Sequence, residues 1–121
     1  MSNEQVEVVN DLSSMLQYQA ASIVSRVLLK NKGGTVTLFA FSKGEGLSEH
    51  TVPFDALVQV IEGETEIGIA PISDSPADGA LEKFRVRAGE VITLPANRAH
   101  AVTATTDFKM LLIMIRSENG K

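Results

Sequence analysis

The feature that most constrains the fold is a series of short β-branched and aromatic segments, separated by turn residues, from Ser22 to Arg116. The segments read SIVSRVLLK, TVTLFAFS, ALVQVIEG, ETEIGIA, EKFRVRAG, EVITLPA, AHAVTAT and FKMLLIMIR. Such side chains favour strands, and Gly33-Gly34 between the first two segments is typical of a hairpin turn. No helix-length apolar repeat follows Tyr18. About eight short strands in one chain of 121 residues predict an all-β sandwich or barrel.

The two ends of the chain differ from this strand-rich part. Near the N-terminus, Asn10 or Asp11 can cap a short helix that places a few apolar residues on one face: Leu12, Met15 and Leu16. We therefore expect a polar N-terminal arm with a short helix over residues 1–21, a β-barrel over residues 22–116, and a C-terminal tail over residues 117–121. The stretch Pro71–Glu82 is rich in Pro, Ser, Asp and Gly, a composition that predicts a loop.

Composition and charge exclude several classes of function. The chain has no cysteine, which excludes disulfides, thiolate nucleophiles and cysteine-bound metals. The formal net charge is −4, and the 11 Lys and Arg residues form no basic stripe, so a nucleic-acid partner is not expected. The longest apolar run, Met110–Ile115, is too short to cross a membrane, and residues 1–11 lack the pattern of a secretory signal. We therefore expect a cytoplasmic protein without a membrane partner.

Two of the segments are apolar on both sides. In EKFRVRAG, apolar Phe84 and Val86 alternate with basic residues, which predicts one solvated face. In ALVQVI and MLLIMI nearly every position is apolar, so one face is expected to line an interior while the other packs against another sheet or subunit. Large exposed apolar faces are uncommon in monomers, and these strands therefore predict a homo-oligomer.

Two stretches of the chain share the spacing of a known pair of motifs. GEGLSEHTVPFDALVQVIEG begins at Gly44, and GEVITLPANRAHAVTA begins at Gly89. Together they resemble the two motifs of the cupin superfamily, and the register is kept at six positions: Gly44, His50, Gly63, Gly89, Pro95 and His100. The resemblance implies a small single-domain cupin, of the RmlC-like type, with a jelly-roll barrel. Dimers are common in that family, so the expected oligomer is a homodimer.

The departures from the family pattern bear on function. Val52 stands where the family has a second histidine, and Ala56 stands where it has a glutamate. The family's metal set of three histidines and a carboxylate is thus reduced to His50 and His100. Divalent transition metals are usually held by three or more protein ligands, so these two histidines would hold such a metal only weakly. Asn97 replaces a glycine of the second motif, and Ala104 replaces its closing asparagine.

Strand alternation predicts which side chains face the barrel interior. If the first motif is one extended strand, His50, Val52 and Ala56 share a face, and in the second motif His100 shares a face with Val102. We expect the two histidines to approach each other across the barrel. The expected ligand pocket, apolar apart from the histidines and Asn97, comprises His50, Val52, Phe54, Ala56, Val58, Asn97, His100, Val102 and Met110. The phenylalanines and methionines are otherwise expected to be core residues.

Two charged residues near the motifs have simpler expectations. Asp55 alternates out of the pocket and is expected to be a solvated or turn residue. Arg98 lies on a loop from which it can reach an anionic ligand, but the expectation is a surface salt bridge. No serine lies in a motif with a histidine and a carboxylate, so no catalytic residue is assigned.

Three hypotheses stay open on the sequence. The first is a cupin that binds a small, partly apolar molecule through the two histidines. The second is a metal-dependent enzyme, of the dioxygenase or isomerase type that the family includes, with a reduced two-histidine site. The third is a dimeric scaffold whose pocket has lost its chemistry.

Overall fold

A computed structural model describes residues 8–71 and 80–116. In these ranges the chain forms one short 3-10 helix, Leu12–Ser14, and nine strands: β1 Ile23–Asn31, β2 Gly34–Phe41, β3 Gly46–His50, β4 Phe54–Glu62, β5 Glu64–Ile69, β6 Glu82–Arg87, β7 Val91–Leu94, β8 His100–Ala104 and β9 Phe108–Arg116. Residues 1–7 of the expected arm, the expected tail over 117–121, and residues 72–79 of the expected loop lie outside the described residues.

The strands form two antiparallel sheets. The five-stranded sheet has the order β1-β2-β9-β4-β7, and the four-stranded sheet has the order β3-β8-β5-β6. The predicted all-β fold and the hairpin at Gly33-Gly34 are confirmed. No helix formed by the residues described is long and apolar enough to cross a membrane.

One strand was not predicted. The segment GLSEH of β3 contains no β-branched or aromatic residue and follows the turn at Gly44, so its composition favours a turn. It is a strand because it pairs with β8, where Gly46 lies opposite Thr103 and Leu47 lies opposite Val102. Tertiary pairing thus overrides a weak local preference.

The core lies between the two sheets. Phe41 and Phe108 are fully buried and stack with ring centroids 4.6 Å apart. Met110 is 1% exposed in the same cluster. These side chains come from β2 and β9, which are adjacent in the five-stranded sheet, and they confirm the expectation that phenylalanine and methionine pack the core.

The N-terminal segment lies against the outer face of the five-stranded sheet. Lys109 Nζ donates a hydrogen bond to Ser13 O, and Tyr18 Oη donates to Glu62 Oε2 at 2.6 Å. Leu38 is fully buried although it alternates away from the core cluster, on the same outer face. The expected helix is present in short form as the 3-10 turn at Leu12–Ser14.

The rest of that outer face is apolar. The strand register places four aliphatic residues side by side across four strands: Leu29 opposite Val36, Val36 opposite Ile113, and Ile113 opposite Leu57. Leu29 is 62% exposed, whereas the other three are half-buried. We call these four residues the outer row. As predicted, β4 and β9 are therefore apolar on both faces.

Candidate functional site

Two histidines lie side by side at one end of the four-stranded sheet. His50 is the last residue of β3 and pairs directly with His100, the first residue of β8. The rings meet edge to face at 66°, with centroids 4.5 Å apart. The expected approach of the two side chains is present, but it occurs between neighbouring strands of one sheet and not across the barrel.

Each imidazole is oriented by a backbone carbonyl two residues before it. Nδ1 of His50 lies 2.8 Å from Ser48 O, and Nδ1 of His100 lies 3.4 Å from Arg98 O. A carbonyl oxygen only accepts hydrogen bonds, so Nδ1 is the donor in both contacts. In a neutral ring this leaves a lone pair on Nε2, which can accept a hydrogen bond or bind a metal. The pair therefore offers two acceptor nitrogens on adjacent strands.

The two rings differ in their exposure to solvent. His50 is exposed, whereas His100 is 6% exposed. Burial lowers the pKa of His100 below its ordinary value of 6.5; the nearby His50 lowers it further, and the hydrogen bond to Arg98 O opposes these effects. His100 is therefore neutral at pH 7, while the exposed ring of His50 leaves the pair accessible.

The first motif is divided between the two sheets. The chain leaves the four-stranded sheet at His50 and enters the five-stranded sheet at Phe54, with Pro53 in the connection. The expectation that His50, Val52 and Ala56 share one strand face is therefore wrong. Ala56 is 5% exposed on the inner face of β4, and Val52 is half-buried in the connection. At the two positions where the family has further ligands, this chain therefore has aliphatic side chains, and they lie in different parts of the structure.

The motif glycines occupy left-handed backbone conformations. The φ angles are +90° at Gly44, +80° at Gly63 and +89° at Gly89. Asn97, at the position of the motif's remaining glycine, has φ +65°, and asparagine adopts this region more readily than most residues. Its N–H donates to Val52 O at 2.8 Å, which joins the second motif to the first. Asn97 therefore keeps the backbone geometry of the motif, with its side chain exposed to solvent.

The remaining predicted pocket residues lie in two environments. Val58, Val102 and Met110 are 0%, 3% and 1% exposed and pack in the core. Val102 shares the inner face of β8 with His100. Phe54 is half-buried at the start of β4, where the guanidinium of Arg116 lies 5.7 Å from its ring centroid. Among these residues, Val102 is the one that strand alternation places beside a histidine.

The two charged residues near the motifs have different outcomes. Asp55 is exposed as expected, and its Oδ1 accepts a hydrogen bond from Ala96 N at 2.9 Å. The salt bridge expected for Arg98 is not found with any carboxylate of residues 8–71 and 80–116; its Nε and Nη2 donate to Ala70 O at 3.0 and 2.7 Å. Throughout the described part of the chain, no carboxylate lies within ion-pair distance of this half-buried guanidinium.

A groove that the sequence reasoning missed lies between β6 and β7. It has a volume of about 680 Å³, and Ile69, Phe84, Ile92 and Arg98 contribute to its walls. The alternation of Phe84 and Val86 in β6 was visible in the sequence. The sequence did not show that β6 and β7 are the edge strands of their sheets, and this position leaves the groove open.

The donor set does not fit a tightly held transition metal. No cluster of three or more His, Asp or Glu side chains able to hold a metal ion occurs within residues 8–71 and 80–116. His50 and His100 supply two nitrogen donors, and the aliphatic residues Val52 and Ala56 supply none. A site of this kind competes poorly with water, because divalent transition metals usually take three or more protein ligands.

Two antiparallel sheets that enclose one core, with the two glycine-bounded motifs between β3 and β8, define a jelly-roll barrel. The chain is similar to a conserved protein of unknown function from Streptococcus pyogenes, with 30% identity over 97% of this chain and 94% of that chain and a TM-score of 0.82. A cupin superfamily protein from Desulfitobacterium hafniense matches with 26% identity over 96% of this chain and 97% of that chain, at a TM-score of 0.79. The chain belongs to the cupin superfamily and forms a small RmlC-like barrel.

A third similar structure is a cupin 2 conserved barrel domain protein from Leptotrichia buccalis. It is 40% identical over 86% of this chain and 46% of that chain, with a TM-score of 0.74. No protein-family model and no curated protein matches the sequence.

Proposed function

We propose that this cupin binds a small, partly apolar molecule through His50 and His100. The observation that carries the proposal is the pairing of the two imidazoles, with ring centroids 4.5 Å apart and each Nδ1 facing a backbone carbonyl. The exposed ring of His50 gives a ligand access from solvent. The two Nε2 atoms supply the polar contacts.

The protonation of the pair limits the chemistry of the ligand. Because the lowered pKa of His100 keeps that ring neutral at pH 7, its Nε2 accepts hydrogen bonds. A complementary ligand carries hydroxyl or amine groups that donate. His100 pairs with Ile69 across the sheet and shares a face with Val102, so the surroundings of the pair favour a ligand with an apolar frame.

A metal-dependent enzyme of the dioxygenase or isomerase type is the alternative. It needs at least one ligand besides the two histidines, and Val52 and Ala56 cannot supply it. We derive no reaction through a metal.

The proposed assembly is a homodimer in which a second copy of the chain covers the outer row. Support comes from the register that sets Leu29, Val36, Ile113 and Leu57 side by side on one face of the sheet. A surface that is apolar across four strands matches the core of a homodimer interface. A two-fold axis would place one row against the other.

The test of the binding site begins with the metal content of untagged protein that has not met a chelator. Binding of catechol and benzylamine is then measured by calorimetry, with 1,2-dimethoxybenzene as the matched compound that has no donor. We expect His50→Ala and His100→Ala each to weaken binding by about tenfold, because each variant loses one hydrogen bond to the ligand. Thr103→Ala, an exposed position on β8, is the control that should bind as the wild type does.

Two results would count against this proposal. If the affinity is unchanged in both histidine variants, or is equal for catechol and its dimethyl ether, the imidazoles do not form the site. Near-stoichiometric metal that disappears in both histidine variants would instead support the metal-dependent alternative.

A further inference from the structure

The groove between β6 and β7 has the size and walls of a small-molecule site. β6 is the edge of the four-stranded sheet and β7 is the edge of the five-stranded sheet, so neither pairs on that side with a further strand of the described residues. The volume of about 680 Å³ lies in the range of ligand pockets. The apolar wall comprises Ile69, Phe84, Val86, Ile92 and Pro95. Phe84 is 36% exposed, whereas Val86, two residues further along β6, is in the core. Part of the aromatic ring of Phe84 is therefore accessible from the groove.

Three charged side chains line the groove, and two of them are already engaged. Arg85 Nε lies 3.0 Å from Glu64 Oε2, and Glu90 Oε1 accepts a hydrogen bond from Arg87 N at 2.8 Å. Arg98 is different, since it forms no ion pair within the described ranges. Within residues 8–71 and 80–116, a positive charge that no carboxylate pairs with thus lies at the wall of a largely apolar groove.

The guanidinium of Arg98 is held in place but is not saturated. Its Nε and Nη2 donate to Ala70 O at 3.0 and 2.7 Å. Arginine has five N–H donors, so both hydrogens of Nη1 stay available. The contact with Ala70 fixes the plane of the guanidinium, and a fixed planar donor pays little conformational entropy when it binds an anion.

We propose that the groove binds a small apolar monocarboxylate, with its carboxylate on Arg98 and its apolar body against Phe84 and Ile92. A single unpaired guanidinium matches a single negative charge. Glu90 on the same wall disfavours a dianion such as a phosphate monoester. The site is separate from the histidine pair, where the neutral ring of His100 selects hydrogen-bond donors, and it does not depend on the function proposed above.

The probes that test this site are benzoate and hexanoate, each compared with its primary amide. Amides keep the shape of the acids but lose the charge. Titrations followed by amide chemical shifts in two-dimensional NMR give both the affinity and the location. We expect both acids to bind at least about tenfold more tightly than the amides and to shift the resonances of Phe84 and Ile92.

Variants separate the role of Arg98 in binding from its contact with Ala70. Arg98→Met should remove the preference for acid over amide, and Arg98→Lys, which keeps the charge but not the fork, should keep part of it. Lys83→Met removes a positive charge from β6 but not from the groove wall, and should keep the full preference. If Arg98→Met does not fold, Phe84→Ser and Arg98→Lys are tested in its place. Phe84→Ser should weaken the binding of acid and amide alike, whereas Arg98→Lys should reduce only the preference for the acid.

The proposal is overturned if the wild type binds acids and amides equally, or if Arg98→Met keeps the preference. It is also overturned if His50→Ala abolishes acid binding, since the acid would then bind at the histidine pair. Loss of catechol binding in His50→Ala with benzoate binding intact supports two independent sites, so the two proposals can fail separately.

Discussion

His50 and His100 are direct partners in the β3–β8 ladder, and their rings touch edge to face with centroids 4.5 Å apart. In an antiparallel ladder, residues that lie directly opposite have their side chains on the same face of the sheet. The two imidazoles are thus brought together by strand register, although 49 residues, 51–99, lie between them in the sequence. The following predictions test this pair and the frame that holds it.

Restoring the family's missing ligands should restore metal binding. In Val52→His combined with Ala56→Glu, we expect the affinity for Zn²⁺ to rise by about 100-fold over the wild type, since each added ligand contributes about a factor of ten or more. Calorimetry with Zn²⁺ alone measures the change. Adding His100→Ala to the double variant should remove most of the gain. An affinity equal to that of the wild type would show that positions 52 and 56 do not converge with the histidines.

The buried imidazole should make stability depend on pH. Burial and the neighbouring His50 lower the pKa of His100 below 6.5 in the folded state, so the unfolded chain binds this proton more readily. The resulting contribution to stability is complete above pH 6.5 and falls as the pH drops from 6.5 through the lowered pKa. Thermal unfolding of the wild type and of His100→Gln should show a smaller loss of Tm on acidification in the variant.

Nuclear magnetic resonance can measure the protonation of His100 directly. The ring protons of His100 should titrate below pH 6.5, and His50→Ala should raise the pKa of His100, because the electrostatic interaction with His50 that lowers this pKa is removed. A His100 pKa above 6.5 in the folded wild type would contradict the buried position.

Asn97 should be replaceable by glycine but not by alanine. At φ +65°, Asn97→Gly should change the free energy of unfolding by only a few tenths of a kcal/mol, whereas Asn97→Ala should cost about 1 kcal/mol. Chemical denaturation measures both. Ala96→Gly, in the same turn, is the control for added chain flexibility. Equal stability of the alanine and glycine variants would show that the left-handed conformation is not needed in solution.

The sole tyrosine should report on the N-terminal segment. Burial and the hydrogen bond to Glu62 raise the pKa of Tyr18 well above its ordinary value, so the phenol stays neutral to higher pH when folded. The chain has one tyrosine and no tryptophan, which makes the ultraviolet titration signal unambiguous. Glu62→Gln should lower the pH at which Tyr18 ionises. Identical titration curves for the folded and denatured wild type would contradict docking of this segment.

The outer row should decide the oligomeric state. Ile113→Asp buries a charge in the proposed interface, so we expect a dimer to become a monomer in light scattering coupled to gel filtration. Phe84→Asp, on the other sheet, should leave the mass unchanged. A wild type that is monomeric at high micromolar concentration contradicts the proposed dimer.

Much of the fold followed from local sequence, because β-branched segments between glycine turns are a strong signal for strands. The motif spacing also identified His50 and His100 correctly as neighbours. What the sequence missed depends on partners that are distant in the chain. β3 has no strand-forming side chains and exists because β8 lies beside it, and the crossing at Pro53 placed Ala56 in the other sheet. Likewise, Arg98 was assigned a salt bridge by its charge, whereas its partner is the carbonyl of Ala70.

The contact between Ser13 and Lys109 spans 96 positions of the chain. The segment that carries Ser13 and Tyr18 leaves the ribosome before β9, the strand that it docks on. During synthesis the segment therefore has no surface to bind until β9 emerges and pairs with β2 and β4. This segment is translated before the barrel strands, but its contacts with the barrel form only after the last of them.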